Sequence, residues 1–260
     1  MGIFGIDDQA VPRHEAVAFL DTLDSVPPQA VSACRGWTTH DVVAHLTSGA
    51  EALANQIDAK LTGRPVPPFG SWEDREPPYR ALDDRVLRDR FVRAEQRMSA
   101  AFESMLAQST DAQHDDVGFG FPVRELVTHM RQEFAIHRWD LIGDDDLGDA
   151  LMGQQELLSH SVRMLQAPLL ERGVTLDPTP RSTLDVRISG GDADDLRLEV
   201  REGRATLSLE PHIDGEVSIE ADAAARLLLL WGRRPSDASR VRSHLPTPQL
   251  LRLQTLLSGF

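Results

Sequence analysis

The sequence predicts a two-part chain of the multidomain α and α+β class: a helical N-terminal domain, a bundle of four helices, and then a small α/β domain. Three observations carry that prediction. Apolar residues recur at alternating steps of three and four up to about residue 145, the period of helices that bury one face. Beyond Asp177 the texture changes to strict alternation of apolar and polar residues, as in half-buried strands. Between them lies Gly143 to Gly148, rich in aspartate and bounded by glycines, which reads as a hinge. The expected domains are 1–148 and 149–260.

The first predicted helix runs from Arg13 to Asp24 and stops at Pro27 and Pro28. The second follows Gly36 and Trp37, has Thr38 or Thr39 as its N-cap, and runs to about Leu61, with Val42, Leu46, Ala50, Leu53 and Ile57 on one face. A Pro-rich loop from Gly63 to Gly70, continued to Pro77 and Pro78, follows and is expected to shape a pocket. The third helix, from about Leu82 to Gln108, carries a seam of Leu87, Phe91, Ala94, Met98, Ala101 and Met105. The fourth runs from Pro122 to Leu141, its proline in the first turn where no backbone donor is needed. A connecting helix is predicted from about Ala150 to Arg172, with Pro168 shortening or kinking it. Strands are expected at 184–188, 196–200, 205–209 and 216–219, with Gly190–Gly191 and Glu202–Gly203 as turns. Two closing helices are expected at 221–231 and 247–257.

The composition excludes some classes of function. The chain has 260 residues, 41% of them hydrophobic, and a formal charge of −14, which argues against nucleic acid and anionic membrane as partners. One cysteine, Cys34, allows no internal disulfide and suits a reducing compartment. The N-terminus lacks a signal-peptide pattern, and the run 223–231 is too short to span a bilayer and holds Arg226. A cytoplasmic location is expected. Lys60 is the only lysine among 27 basic residues, a bias that fits high-GC coding DNA.

The chemistry centres on His45, Glu133 and His137. Glu133 and His137 stand four apart in a helical run, so their side chains share a face. His45, from the second helix, can supply a third ligand to the same divalent metal ion, for which zinc is the first choice. Two histidines and one carboxylate leave a coordination position open, as catalytic zinc sites do. Each element also has a plainer reading: a Glu-x-x-x-His pair is commonly a solvated pair, and a histidine beside an apolar seam is commonly a hydrogen-bonded core residue. Glu125 and His129 form a second pair at the same spacing, and His129 is a candidate partner for a metal-bound imidazole. His40, His114, His160, His212 and His244 read as surface or loop residues. Cys34 has no base beside it in sequence and is not expected to be a nucleophile. The absence of His-Glu-x-x-His argues against a zincin protease.

Two stretches, Gly36 to Leu46 and Glu133 to Leu141, together resemble the mycothiol-dependent maleylpyruvate isomerase family. The resemblance implies a DinB-like four-helix bundle followed by a smaller α/β domain, and it places His45, Glu133 and His137 on zinc-ligand positions. It implies mycothiol, the small thiol of high-GC actinobacteria, as thiol cosubstrate. The thiolate is the reactive form of a thiol, and zinc deprotonates a coordinating thiol. The expected function is therefore attack of a mycothiol thiolate on a small electrophile, by maleylpyruvate-type cis–trans isomerisation or by thiol S-transfer. The alternative is a non-catalytic metal-binding or regulatory DinB-like protein, for which a protein partner with a basic patch would suit the acidic surface. In the looser C-terminal match, the run 227–233 before Pro235, Arg233 is the best counterpart of a functional arginine, with Arg234 beside it and a salt bridge or helix cap as the plainer reading.

Overall fold

A computed structural model describes residues 13–108, 121–166, 169–191, 194–212 and 217–257. The chain divides into two compact units, Met1–Ile142 and Gly143–Phe260. In the described residues of the first unit every element is helical; the second carries helices and one five-stranded sheet.

In the first unit, α1 (His14–Leu23), α2 (Thr39–Leu61), α5 (Asp84–Gln108) and α6 (Val123–Ile142) are the long helices. Helix α2 starts where a capping box forms: the Thr38 hydroxyl accepts from the Asp41 backbone N–H, while the Asp41 carboxylate accepts from Thr38. This satisfies donors that a helix start otherwise leaves open. All five seam residues of α2 and all six of α5 are buried, and α2 packs along α5 while α1 packs along α6. Phe19, Phe91 and Phe134 meet in the middle, with ring centroids 5.5–6.2 Å apart. Burying each such ring contributes roughly 2–3 kcal/mol. Two buried carboxylates in this core are matched by arginines, Glu15 by Arg131 and Glu95 by Arg13.

The segment after α2 departs from the expected loop. Two single-turn helices, α3 (Trp72–Arg75) and α4 (Pro77–Arg80), interrupt it. Ser71 caps α3 by accepting from the Asp74 N–H, and Pro77 takes the first position of α4, where its fixed φ is already helical.

In the second unit, the single connecting helix expected from Ala150 to Arg172 is replaced by three: α7 (Asp146–Met152), α8 (Gln155–Leu165) and α9 (Leu169–Leu176). Asp145, within the expected hinge, instead caps α7 through the Gly148 N–H. The first break falls at Gly153 and Gln154: Gly153 ends α7 still in the helical region, and Gln154 turns extended. Pro168 lies outside the described residues.

The sheet order is β3-β2-β1-β4-β5, from β1 (Leu184–Ser189), β2 (Asp195–Arg201), β3 (Arg204–Glu210), β4 (Ile219–Ala221) and β5 (Val241–Ser243). Strands β1 and β4 are parallel; the other neighbours are antiparallel. The register sets Leu184, Val186 and Ile188 opposite Val200, Leu198 and Leu196, so one buried face is apolar throughout. Glu202 and Gly203, both at positive φ, make the two-residue turn between β2 and β3, which matches the strand twist. Strand β4 sits later than the expected 216–219, whose first residue is outside the described set, and β5 was not expected. Helices α10 (Ala223–Leu230) and α11 (Thr247–Leu256) close the unit. Among the described residues, no helix is long and apolar enough to cross a membrane.

Candidate metal centre

The first unit brings His45, Glu133 and His137 together. Their ligand atoms all lie within 4.8 Å of one another. Nε2 of His45 is 3.3 Å and Nε2 of His137 is 3.5 Å from the same Glu133 oxygen, Oε2. Tetrahedral coordination with zinc bonds of about 2.0–2.1 Å sets ligand atoms about 3.3–3.4 Å apart, so these spacings fit a small divalent ion.

Both imidazoles are held from behind. Nδ1 of His45 meets Glu76 Oε1 at 2.6 Å, and Nδ1 of His137 meets Asp140 Oδ2 at 2.9 Å. A carboxylate on the far nitrogen fixes the ring tautomer and leaves Nε2 with its lone pair for a metal. Glu76 and Asp140 are themselves almost fully buried. Glu76 is secured by Arg80, which donates to Oε2 through Nε and Nη2 and also pairs with Asp41. The local fold explains the arrangement. Asp140 is one helical turn beyond His137 on α6, and the turn of α4 carries Arg80 back over Glu76.

The electrostatics follow the packing. Burial pushes the Glu133 carboxyl up, but hydrogen bonds to His137 and His45 and the charges of His129 and His137 outweigh it, and it lies well below the usual carboxylate range. Burial pushes His137 down, yet its hydrogen bonds to Asp140, Cys34 and Glu133 hold it well above the ordinary imidazole value. His129, whose Nε2 is 4.0 Å from the other Glu133 oxygen, is shifted down by burial. Trp37 forms an aromatic wall: its ring stacks on His137 at 6.4 Å, lies 5.2 Å from His45 and 6.2 Å from Trp72, and carries the Arg80 guanidinium 4.6 Å over its face.

Several of these residues escaped the sequence reading. Glu76 follows a stretch without periodicity and gave no signal. Asp140 lies at i+3 from His137 within the stretch Glu133 to Leu141, and that spacing marks it as a helix-face partner. Cys34 has a base in space: its Sγ lies 3.0 Å from Asp140 Oδ2 and 3.8 Å from His137 Nδ1. Cys34, His137 and Asp140 therefore form a second group at ligand distances, which draws on the opposite nitrogen of the same histidine.

The remaining histidines divide. His160 corrects the surface expectation, for it is buried in α8 beside Leu157 and Ser161. His40 is half-buried against the Arg80 carbonyl and Asp84, His212 contacts Asp195, and His244 contacts Glu220. His114 lies outside the described residues. Arg233 is in the second unit, just after α10, where its Nη1 donates to the Trp231 carbonyl.

Comparison with known proteins supplies the family context. Residues 12–142 match the family model described as mycothiol maleylpyruvate isomerase N-terminal domain. A crystal structure of the mycothiol-dependent maleylpyruvate isomerase superposes with a TM-score of 0.62 at 19% identity, covering 90% of this chain and 91% of that one. A histidine-to-alanine mutant of that isomerase superposes with a TM-score of 0.58 at 18% identity over the same shares. At these identities the likeness establishes the fold. No curated protein matches by sequence.

Proposed function

Since the chain belongs to the mycothiol maleylpyruvate isomerase N-terminal domain family, we propose that it is an enzyme that uses mycothiol thiolate to attack a small electrophile, with His45, Glu133 and His137 holding a divalent zinc ion. We read the four long helices as a DinB-like four-helix bundle built around that centre. The observation that carries the reading is the pair of histidines, each locked through Nδ1 by a buried carboxylate, whose Nε2 atoms converge on one Glu133 oxygen. A solvated helix pair needs no such backing, and a structural core histidine needs no second one facing it.

Zinc, when bound, supplies the Lewis acidity that turns a coordinating thiol into thiolate at neutral pH. The protein residues supply the rest. Glu76 and Asp140 set the two imidazoles and keep them basic. Trp37 and Trp72 line the approach with apolar surface. In the isomerase form of the reaction, sulfur adds to an activated alkene, the former double bond rotates, and the same carbon–sulfur bond breaks to return the thiol. In the transferase form that bond is kept and the electrophile loses its leaving group or gains a proton. Arg233, in the second unit, is read as a catalytic residue from its place in the looser C-terminal match alone.

Metal analysis of the purified chain tests the centre. About one zinc per chain is expected for wild type, and His45→Ala, Glu133→Ala and His137→Ala should each lose it. Equal metal in wild type and variants removes the ligand assignment. Incubation of the zinc form with mycothiol and a panel of electrophiles should yield isomers or adducts by mass. Zinc binding with neither thiol consumption nor isomer would favour the non-catalytic metal-binding alternative.

A further inference from the structure

The two nitrogens of His137 face two different sets of ligand atoms. Nε2 faces Glu133 and His45, and Nδ1 faces Asp140 and Cys34. In the second set, Sγ of Cys34 lies 3.0 Å from Asp140 Oδ2 and 3.8 Å from His137 Nδ1, and Nδ1 lies 2.9 Å from that same oxygen. The pattern repeats the first centre, where two ligand atoms also converge on one carboxylate oxygen.

The loop before α2 holds the sulfur in place. Val31 and Thr38 pair as an antiparallel bridge, and the Trp37 N–H donates to the Cys34 carbonyl at 3.0 Å. The Ala33 N–H donates to the Asp140 carbonyl at 2.7 Å, which ties the residue before Cys34 to the end of α6. Cys34 is the partly exposed member of the set; His137 and Asp140 are buried.

The chemistry of the three atoms suits a metal ion. A thiol is a weak hydrogen-bond donor, whereas thiolate and imidazole together favour a thiophilic divalent ion. Bonds of about 2.3 Å to sulfur and about 2.0–2.2 Å to nitrogen and oxygen set tetrahedral ligand atoms roughly 3.3–3.6 Å apart. The triangle of 2.9, 3.0 and 3.8 Å reaches that spacing with shifts of about 0.5 Å.

We infer that Cys34 Sγ, His137 Nδ1 and Asp140 Oδ2 form a second metal site, for a thiophilic divalent cation, and that its occupation excludes the first. A neutral imidazole has one lone pair. Binding at the second site releases the Cys34 proton to solvent and moves the imidazole proton from Nδ1 to Nε2, where Glu133 Oε2 lies 3.5 Å away. Nε2 is then lost to the centre of His45 and Glu133, so an excess of such a cation inhibits through His137.

The test is titration of cadmium chloride into the full-length, metal-free chain, read by thiolate-to-cadmium charge-transfer absorption. Cys34 is the only cysteine, so the band reports this sulfur alone. It should saturate at about one equivalent in wild type and in His45→Ala, and be absent in Cys34→Ser. Loss of a ligand should cost at least as much as loss of an outer-shell partner, so His137→Gln and Asp140→Asn should each bind about 10–100-fold more weakly. No band in wild type, or equal affinity in wild type and these two variants, overturns the inference; the second result leaves Cys34 a lone thiol. Loss of the band in His45→Ala overturns it too, by merging the two sets into one. On the zinc-loaded chain the band should grow only as zinc is released, and a band that grows with zinc retained overturns the exclusion. The metal-free arm uses neither His45 nor Glu133 as a ligand, so failure of the zinc assignment is told apart from failure of this one.

Discussion

Each unit buries an acidic group against a basic one, and the two arrangements differ in where their hydrogen bonds end. In the second unit, Arg252 and Asp177 close on each other. Nε of Arg252 donates to both Asp177 oxygens, at 3.1 and 2.9 Å, and its two remaining nitrogens donate to the Thr183 and Ser182 carbonyls. Every nitrogen of that guanidinium is spent on the fold. In the first unit the far nitrogens of His45 and His137 are spent on carboxylates, but their near nitrogens point at one shared Glu133 oxygen. A closed pair holds chain segments together. A convergent set, each member braced from behind, presents ligand atoms to a third party.

The largest effect expected from this contrast is in the closed pair. Asp177→Ala leaves Arg252 buried and uncompensated, which should cost about 3–5 kcal/mol of stability in denaturant unfolding of the second unit. Zinc bound per folded chain should stay at the wild-type level. Loss of metal alongside stability would show that the closed pair and the convergent set are coupled.

The braces of the convergent set come next. Glu76→Gln and Asp140→Asn keep the side-chain shape but remove the charge facing Nδ1. Each should weaken zinc by about 10–100-fold in competition with a chelator, with a loss of metal-free stability smaller than that of Asp177→Ala, because the amide still fills the space and can still hydrogen-bond. Unchanged zinc affinity in both would reduce Glu76 and Asp140 to packing groups and erase the distinction between the two regions.

This contrast also marks what the sequence can show. The seams of α2 and α5 are legible because burial of one helix face imposes a period, and each seam residue lies where that period puts it. Glu133 and His137 are legible as a pair from their spacing of four. That His45 meets them is not, because it depends on how α2 packs against α6; only the resemblance in the two flanking motifs linked them. Glu76 is illegible for a different reason: a one-turn helix after a Pro-rich stretch has no period to read, and its role is fixed by a contact 31 residues away in sequence. The break at Gly153 escaped because apolar spacing continues across it, and β5, with three residues, is too short to alternate visibly.

The smallest effect concerns what holds α4, and hence Glu76, in place. Tyr79, the only tyrosine in the chain, donates from its hydroxyl to Glu51 Oε2 at 2.9 Å, and Glu51 is also gripped by Arg90, whose guanidinium lies 4.6 Å over the tyrosine ring. Burial first, then the hydrogen bond to Glu51 and its charge, push the phenol up to about 12. A raised folded value means that this stabilisation is whole below the unfolded value of about 10 and is lost as pH rises through about 12. The phenolate absorbance, free of any other tyrosine, should therefore titrate near 12 in the folded chain and near 10 in urea. Tyr79→Phe should cost about 1 kcal/mol and weaken zinc less than Glu76→Gln, since Arg80 still ties α4 to Asp41 on α2. A folded midpoint near 10 would mean that Tyr79 does not clasp Glu51, and the bracing of His45 would then rest on Arg80 alone.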